Sequence, residues 1–222
     1  MLLVAVATDQ EIEPLQHYYA NQGGMKLLVT GVGPVVAAAN LGSYLAGQGS
    51  MVDGVLNIGV AGAYFDSGLE LLDICLARQE IVGDFGICMQ DEILDFAPGI
   101  IQPNSPIALE NQISERIAGI LEVNSIPYKV ANFVTVNCCS GTRKRGDFLR
   151  KKFRAGCENM EGAGVAMVCK NFNIPCVELR CVSNTVEDRN MDTWLLDQAI
   201  AKICRVTRIL LHDYLKVGSK EK

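Results

Sequence analysis

The sequence predicts an α/β protein with a mostly parallel or mixed sheet and helices on both faces. Two observations carry that expectation. Short runs rich in Val, Leu and Ile alternate with longer runs of helical period. The 222 residues are 49% hydrophobic and 20% charged, enough for one sizeable core, so a single domain over 1–222 is expected.

The elements follow in order. LLVAVA (2–7) reads as a first strand, because its apolar run is very short and lacks the basic flank of a signal peptide. A helix is expected from about 10 to 21, then a strand LLVTGV (27–32) leading into a helix VVAAANLGSYLAG (35–47), with Pro34 in its first turn. GVLNIGVAG (54–62) is a buried strand ending in glycines, and LLDICLARQEIV (71–82) is the next. Residues 83–106 carry Gly, Pro and Asp with little periodicity and read as a long loop, of the kind used as lids or binding loops. ALENQISERIAGILEVN (108–124) is helical, KVANFVTV (129–136) a strand, and GDFLRKKFRAG (146–156) a short basic helix. NMEGAGVAMVCKNF (159–172) is a closely packed helix of small residues, and PCVELRCV (175–182) is an apolar strand that runs out at Ser183 and Asn184. The segment 192–215 places Trp194, Leu195, Ile200, Ile203, Leu210 and Tyr214 near one helical face.

Composition excludes several classes. A net charge of −5 argues against a protein that works mainly on nucleic acid. Nine cysteines without a CxxC pair, and two histidines (His17 and His212), give no zinc-ligand pattern; they fit buried thiols in a reducing cytoplasm. No apolar stretch reaches the ~18 residues of a membrane helix. In TGVGPVVAAA (30–39) the GxGxxG spacing needs glycine at 36, where Val36 stands, and no Walker lysine follows a glycine run. No cofactor and no metal are therefore expected, and Gly31 and Gly33 read as a tight strand-to-helix turn.

Candidate site residues lie at strand ends, where open α/β sheets keep their chemistry. NIGVAGAYF (57–65) sets glycines around Ala61, so that at Ala61 and Gly62 backbone can approach a ligand closely; tight packing alone explains the same pattern. Asp9, Glu11 and Glu13 follow the first strand, where a solvated helix start is the competing explanation. CENMEGAGVA (157–166) offers Glu158 and Glu161 around Met160, and Glu161 begins a helix as either a dipole partner or a positioned hydroxyl acceptor.

In this order, VATDQEI, TGVGPVVAAA, NIGVAGA, ENMEGAGVA and LRCVSN resemble the nucleoside phosphorylase/hydrolase superfamily, and more narrowly its nucleosidase branch, over nearly the whole chain. The resemblance implies a three-layer α/β/α sandwich around a twisted mixed sheet, a purine nucleoside as small-molecule partner, and a homo-oligomer. It implies that Glu11 polarises the attacking water, that Glu161 holds ribose hydroxyls with Met160 beside the sugar, and that Ser183 and Asn184 stand at the purine. In the adenine-releasing members the position of Asn184 is an acid.

That departure has a chemical meaning. A 6-oxopurine presents two acceptors, O6 and N7, whereas adenine presents an N6 donor beside N7. An amide donates its NH₂ to O6 and accepts from a protonated N7, so Asn184 suits a 6-oxopurine leaving group. The proton then comes from water or a neighbour such as Asp188. The segment SNTVEDRNMDTW, with Val186, Arg189 and Trp194, resembles the members that release hypoxanthine from a nucleoside of menaquinone synthesis bearing a benzoate group at its 5′ end. In the superfamily's phosphorylases a serine stands where this chain has Val60. With no arginine near TDQEIE, hydrolysis is expected over phosphorolysis. The basic run 142–154 reads as a solvated face, with Arg143 or Arg145 a candidate for the benzoate.

Overall fold

The computed structural model describes residues 1–19, 23–90, 92–99 and 104–218. The chain opens with β1 (Leu2–Val6), α1 (Asp9–Tyr19), β2 (Met25–Val29), α2 (Pro34–Gln48) and β3 (Gly54–Tyr64). It continues through β4 (Ile74–Val82), a small antiparallel pair of β5 (Ile87–Met89) and β6 (Glu92–Leu94), β7 (Ile107–Ala108) and α3 (Gln112–Val123). Then come β8 (Lys129–Thr135), α4 (Arg143–Phe153), β9 (Ala155–Asn159), α5 (Gly162–Phe172), β10 (Cys176–Val186) and α6 (Leu196–Gly218).

Eight strands form one mixed sheet in the order β10-β4-β8-β9-β3-β1-β2, with β7 on β4. β1 pairs in parallel with β2 and β3, and β3 with β10, whereas β10–β4 and β3–β9 are antiparallel. Because β10 also pairs with β3, the strands β3, β10, β4, β8 and β9 close into a ring from which β1 and β2 extend. The layers follow from strand alternation. Leu2, Val4 and Val6 of β1 pack with Ile12 and Leu15 of α1, Ile117 and Leu121 of α3, and Ile203 and Leu210 of α6. Leu3 and Ala5 face the opposite way, against Ala37, Leu41 and Leu45 of α2 and Val165 and Ala166 of α5. This is the expected three-layer α/β/α arrangement. A smaller cluster of Tyr64, Val134, Val136 and Val186 packs under Leu149 of α4.

Local signals explain the turns that position the site. Gly31 and Gly33 adopt φ of 88° and 92°, the left-handed region open to glycine, and Pro34 then starts α2. Asn111 caps α3 by accepting from the N–H groups of Ile113 and Ser114.

Several expectations are corrected. β10 does not run out after Val182: a register shift between Val182 and Asn184 absorbs Ser183, and pairing continues to Val186. β3 likewise continues past its glycines to Tyr64. The segment 83–106 contains the β5–β6 pair where a loop was expected; residues 91 and 100–103 of it lie outside the described residues. The helix expected from 108 starts at Gln112, because Ile107 and Ala108 pair with β4. β9 replaces the beginning of the helix expected at 159, which starts at Gly162. The expected extension of the first helix to 20 and 21 falls outside the described residues.

Candidate active site

The ends of β1, β3, β9 and β10 converge on a cavity of about 340 Å³. Glu11, Ala61, Gly62, Met160, Glu161, Ser183 and Asn184 line it, whereas Asp9 and Glu13, the other carboxylates after β1, do not.

Glu11 is oriented by a capping box. Thr8 precedes α1, and its Oγ accepts from the Glu11 N–H at 3.4 Å, while Glu11 Oε2 accepts from the Thr8 N–H at 3.0 Å and the Thr8 hydroxyl at 3.0 Å. The Ala7 N–H reaches the same oxygen at 3.2 Å. Helix start and site residue are therefore one role: the cap holds Oε2 and leaves Oε1 over Gly59, where an added Cβ would lie 2.8 Å from it. Burial raises the Glu11 pKa above 4.5, opposed by the nearby Arg180 charge. In its ionised form such a carboxylate can accept a proton from a water that enters the cavity.

Glu161 stands immediately before α5. Its Oε1 accepts from the Gly33 N–H at 3.1 Å, so the glycine turn before α2 grips the carboxylate, and Oε2 accepts from Arg180 Nη1 at 3.4 Å. The free N–H groups of α5 are met from elsewhere, which spares Glu161 from capping. Asn159 Oδ1 accepts from the Glu161 and Gly162 N–H groups at 3.0 and 2.7 Å, and the Thr135 hydroxyl accepts from Ala163 at 2.7 Å.

Asn184 is held by its neighbour. The Ser183 hydroxyl donates to Asn184 Oδ1 at 2.8 Å, and Nδ2 makes one long contact, 3.4 Å, to the Thr185 carbonyl. The amide's NH₂ thus keeps donor capacity for a ligand.

Arg180 was missed by sequence reasoning. Although no arginine is near TDQEIE in sequence, the β10–β3 pairing sets Arg180 beside Gly59, under Glu11. Burial disfavours its charge, but Glu178, Glu161 and Glu11 outweigh this and hold the guanidinium protonated. Its Nε donates to Glu178 Oε1 at 2.8 Å. Glu80, fully buried nearby, accepts from Thr135 at 2.9 Å and from Asn159 Nδ2. The alternation Glu178–Leu179–Arg180 in VELRC, two charges on one face of an apolar strand, was the available signal.

Glu158 also lines the cavity, with Cys139, Ser140, Arg189 and Trp194. The Cys139 sulfur touches the Met160 sulfur at 3.3 Å. Arg143 and Arg145 do not line it: Arg143 stacks on Phe65 at 3.5 Å, and Arg145 donates to the Cys138 carbonyl at 3.2 Å. Asp188 is turned to the Arg143 N–H at 3.2 Å. Among the described residues no group of three or more His, Cys, Asp or Glu is arranged to hold a metal.

A family model described as the phosphorylase superfamily matches residues 10–212. The chain belongs to the phosphorylase superfamily. Among similar proteins in this superfamily, a futalosine hydrolase of Thermus thermophilus is 30% identical over 86% of this chain and 82% of its own length. An aminodeoxyfutalosine nucleosidase of Helicobacter pylori is 30% identical over 62% of this chain, which spans 58% of that relative's length. The solved structure of a futalosine hydrolase mutant of Helicobacter pylori superposes with a TM-score of 0.82 over 96% of this chain and 98% of that one, at 22% identity, so the fold is shared.

Proposed function

We propose that this chain is an N-glycosidase that hydrolyses futalosine to hypoxanthine and dehypoxanthine futalosine, a step of menaquinone biosynthesis. The observation that carries the reading is the pairing, in one cavity, of the carboxylates Glu11 and Glu161 with the amide Asn184.

Cleavage of the bond between C1′ and N9 passes through an oxocarbenium-like sugar. Glu11 takes a proton from a water as its oxygen bonds to C1′, and the electron pair of the breaking bond flows into the purine. Glu161 accepts hydrogen bonds from the ribose hydroxyls, and Met160 packs beside the sugar. The purine takes up a proton at N7 from solvent water as the bond breaks, and Asn184 donates to O6 and accepts from that N7–H, stabilising the charge that builds on the leaving base. Ala61 and Gly62 let backbone approach the base closely, and Ser183 fixes the amide's orientation. Arg189, beside Trp194 at the cavity wall, is the cation assigned to the benzoate carboxylate, since Arg180, which also lines the cavity, is engaged by Glu178 and Glu161. That role replaces the one expected of Arg143 or Arg145.

Water is favoured over phosphate as nucleophile by charge. Glu11, Glu158 and Glu161 line the cavity, and the Arg180 charge is already engaged by Glu178 and Glu161. The nine unpaired cysteines suit a reducing cytoplasm. Among the described residues no helix is long and apolar enough to cross a membrane. A homo-oligomer is part of the reading, supported by the exposed Val32 at the cavity wall and the exposed Val35 and Val36 at the start of α2.

The test is the base released by purified protein. Hypoxanthine from futalosine supports the proposal; adenine from methylthioadenosine with no hypoxanthine from futalosine makes the chain a methylthioadenosine/S-adenosylhomocysteine-type nucleosidase. No base from either makes it a nucleoside-binding protein.

A further inference from the structure

Glu158 occupies a wall of the cavity to which the reaction above gives no task. It lies opposite Gly62 in the β9–β3 ladder, and Asn184 lies beside Gly62 in the β3–β10 ladder. Residues paired in this way project to the same face of a sheet. Gly62 has no side chain to fill the space between them: an added Cβ would come within 3.1 Å of Asn184 Nδ2. The result is a bare strip of backbone flanked by an amide on one side and a carboxyl on the other.

The carboxyl is built in. Ser140 donates to both of its oxygens, its N–H to Oε1 at 2.8 Å and its hydroxyl to Oε2 at 2.6 Å. Burial raises the Glu158 pKa above 4.5, and the two Ser140 donors oppose that rise by favouring the ionised, acceptor-only form. The fully buried Tyr64 hydroxyl sits beside the same carboxyl, near enough to lower its pKa but outside hydrogen-bonding geometry.

We infer that Glu158 is a second purine-reading residue, accepting the N1–H of a 6-oxopurine whose O6 and N7 face Asn184. It rests on the nucleosidase reading. The chemistry follows from the order of groups along the base edge. In a 6-oxopurine the N1 donor is next to the O6 acceptor, so an amide donor and a carboxylate acceptor on either side of the bare Gly62 backbone match it. Adenine inverts both positions, with an N6 donor and an N1 acceptor. A carboxylate facing adenine N1 meets lone pairs with lone pairs, and a site built to bond one pattern rejects the other strongly. Glu158 and Asn184 thus discriminate at adjacent atoms. The ligand class is a 6-oxopurine nucleoside, with hypoxanthine and guanine bases sharing the N1–H.

The test compares kcat/KM for futalosine and for aminodeoxyfutalosine, which carries adenine, in the unaltered protein and in Glu158→Gln. The ratio of the two should fall by roughly 10–100-fold in the variant, the range for losing a hydrogen bond to a charged group. An unchanged ratio, including equal losses on both substrates, overturns the inference. Failure of the unaltered protein to release hypoxanthine overturns the nucleosidase reading instead, so the two failures are distinct. If Glu158→Gln does not fold, Ser140→Ala, which removes the hydroxyl holding Oε2, should move the ratio the same way by a smaller factor; no movement there also overturns it.

Discussion

Arg180 and Glu161 meet at 3.4 Å beneath the cavity, with 2% and 7% of their side chains exposed. The same guanidinium holds Glu178 at 2.8 Å. One cation therefore fastens β10 to the start of α5 and fixes a carboxylate that lines the cavity. Removing one partner of a buried ion pair leaves the other uncompensated, which costs far more than the pair contributes net. Arg180→Met should destabilise the protein by about 3–5 kcal/mol in urea unfolding. A loss below about 1 kcal/mol would mean that the carboxylates relax or protonate without penalty.

Glu11 sets the pH dependence. A general base works ionised, and burial raises this carboxyl above 4.5. Activity should therefore decline on the acid side with a midpoint above 4.5, as Glu11 takes up its proton. Glu11→Gln should lose about 10²–10⁴ in kcat while ligand affinity changes little. Steady-state kinetics across pH, with calorimetric binding to the variant, checks both parts; a variant with wild-type kcat removes Glu11 from the chemistry.

Glu80 and Glu178 are buried together, and burial, reinforced at Glu80 by the charge of Glu178, raises both above 4.5. At Glu80 the folded state then binds more protons than the unfolded one between 4.5 and its raised value. Its contribution to stability is present below 4.5 and is lost as pH rises through the folded pKa. Glu80→Gln cannot titrate, so it should gain stability relative to the unaltered protein as pH rises. Urea midpoints of the two proteins from acid to mildly alkaline pH give the comparison. A difference that stays constant or runs in the opposite direction contradicts the raised pKa.

Asn184→Asp replaces the NH₂ donor by an acceptor. Turnover of hypoxanthine nucleosides should fall by roughly 10–100-fold, the cost of one lost hydrogen bond plus an unpaired O6. Adenine nucleosides should gain relative to them. Competition between the two substrates in one reaction measures the shift directly, and an unaltered preference would take purine selectivity away from this residue.

The sheet and both helical layers were legible because β1, β3, β4 and β10 are apolar runs separated by segments of helical period. β9 was not, because AGCEN mixes glycine with two polar residues, and its ends were assigned to the helices expected at 146–156 and 159–172. Its burial comes from pairing with β8 on one edge and β3 on the other, together with the Ser140 bonds to Glu158. The end of β10 was misread for a related reason: the polar Ser183 and Asn184 suggested a strand end, while the bulge keeps both in the ladder's path. The seven expected site residues lie together along one cavity; glycines and an amide at strand ends pointed to Ala61, Gly62 and Asn184, while Glu11, Met160, Glu161 and Ser183 came from the family resemblance. Arg180 escaped because its partners Glu178 and Glu161 come from a strand and a helix start, and only the fold brings them together.

The most direct test of hydrolysis at this site is turnover of futalosine in phosphate-free, ¹⁸O-enriched water, with mass analysis of the sugar product. The account predicts hypoxanthine release and one heavy oxygen at C1′ of dehypoxanthine futalosine, with the rate unchanged by added phosphate. A reaction that waits for phosphate and yields a sugar 1-phosphate would contradict it.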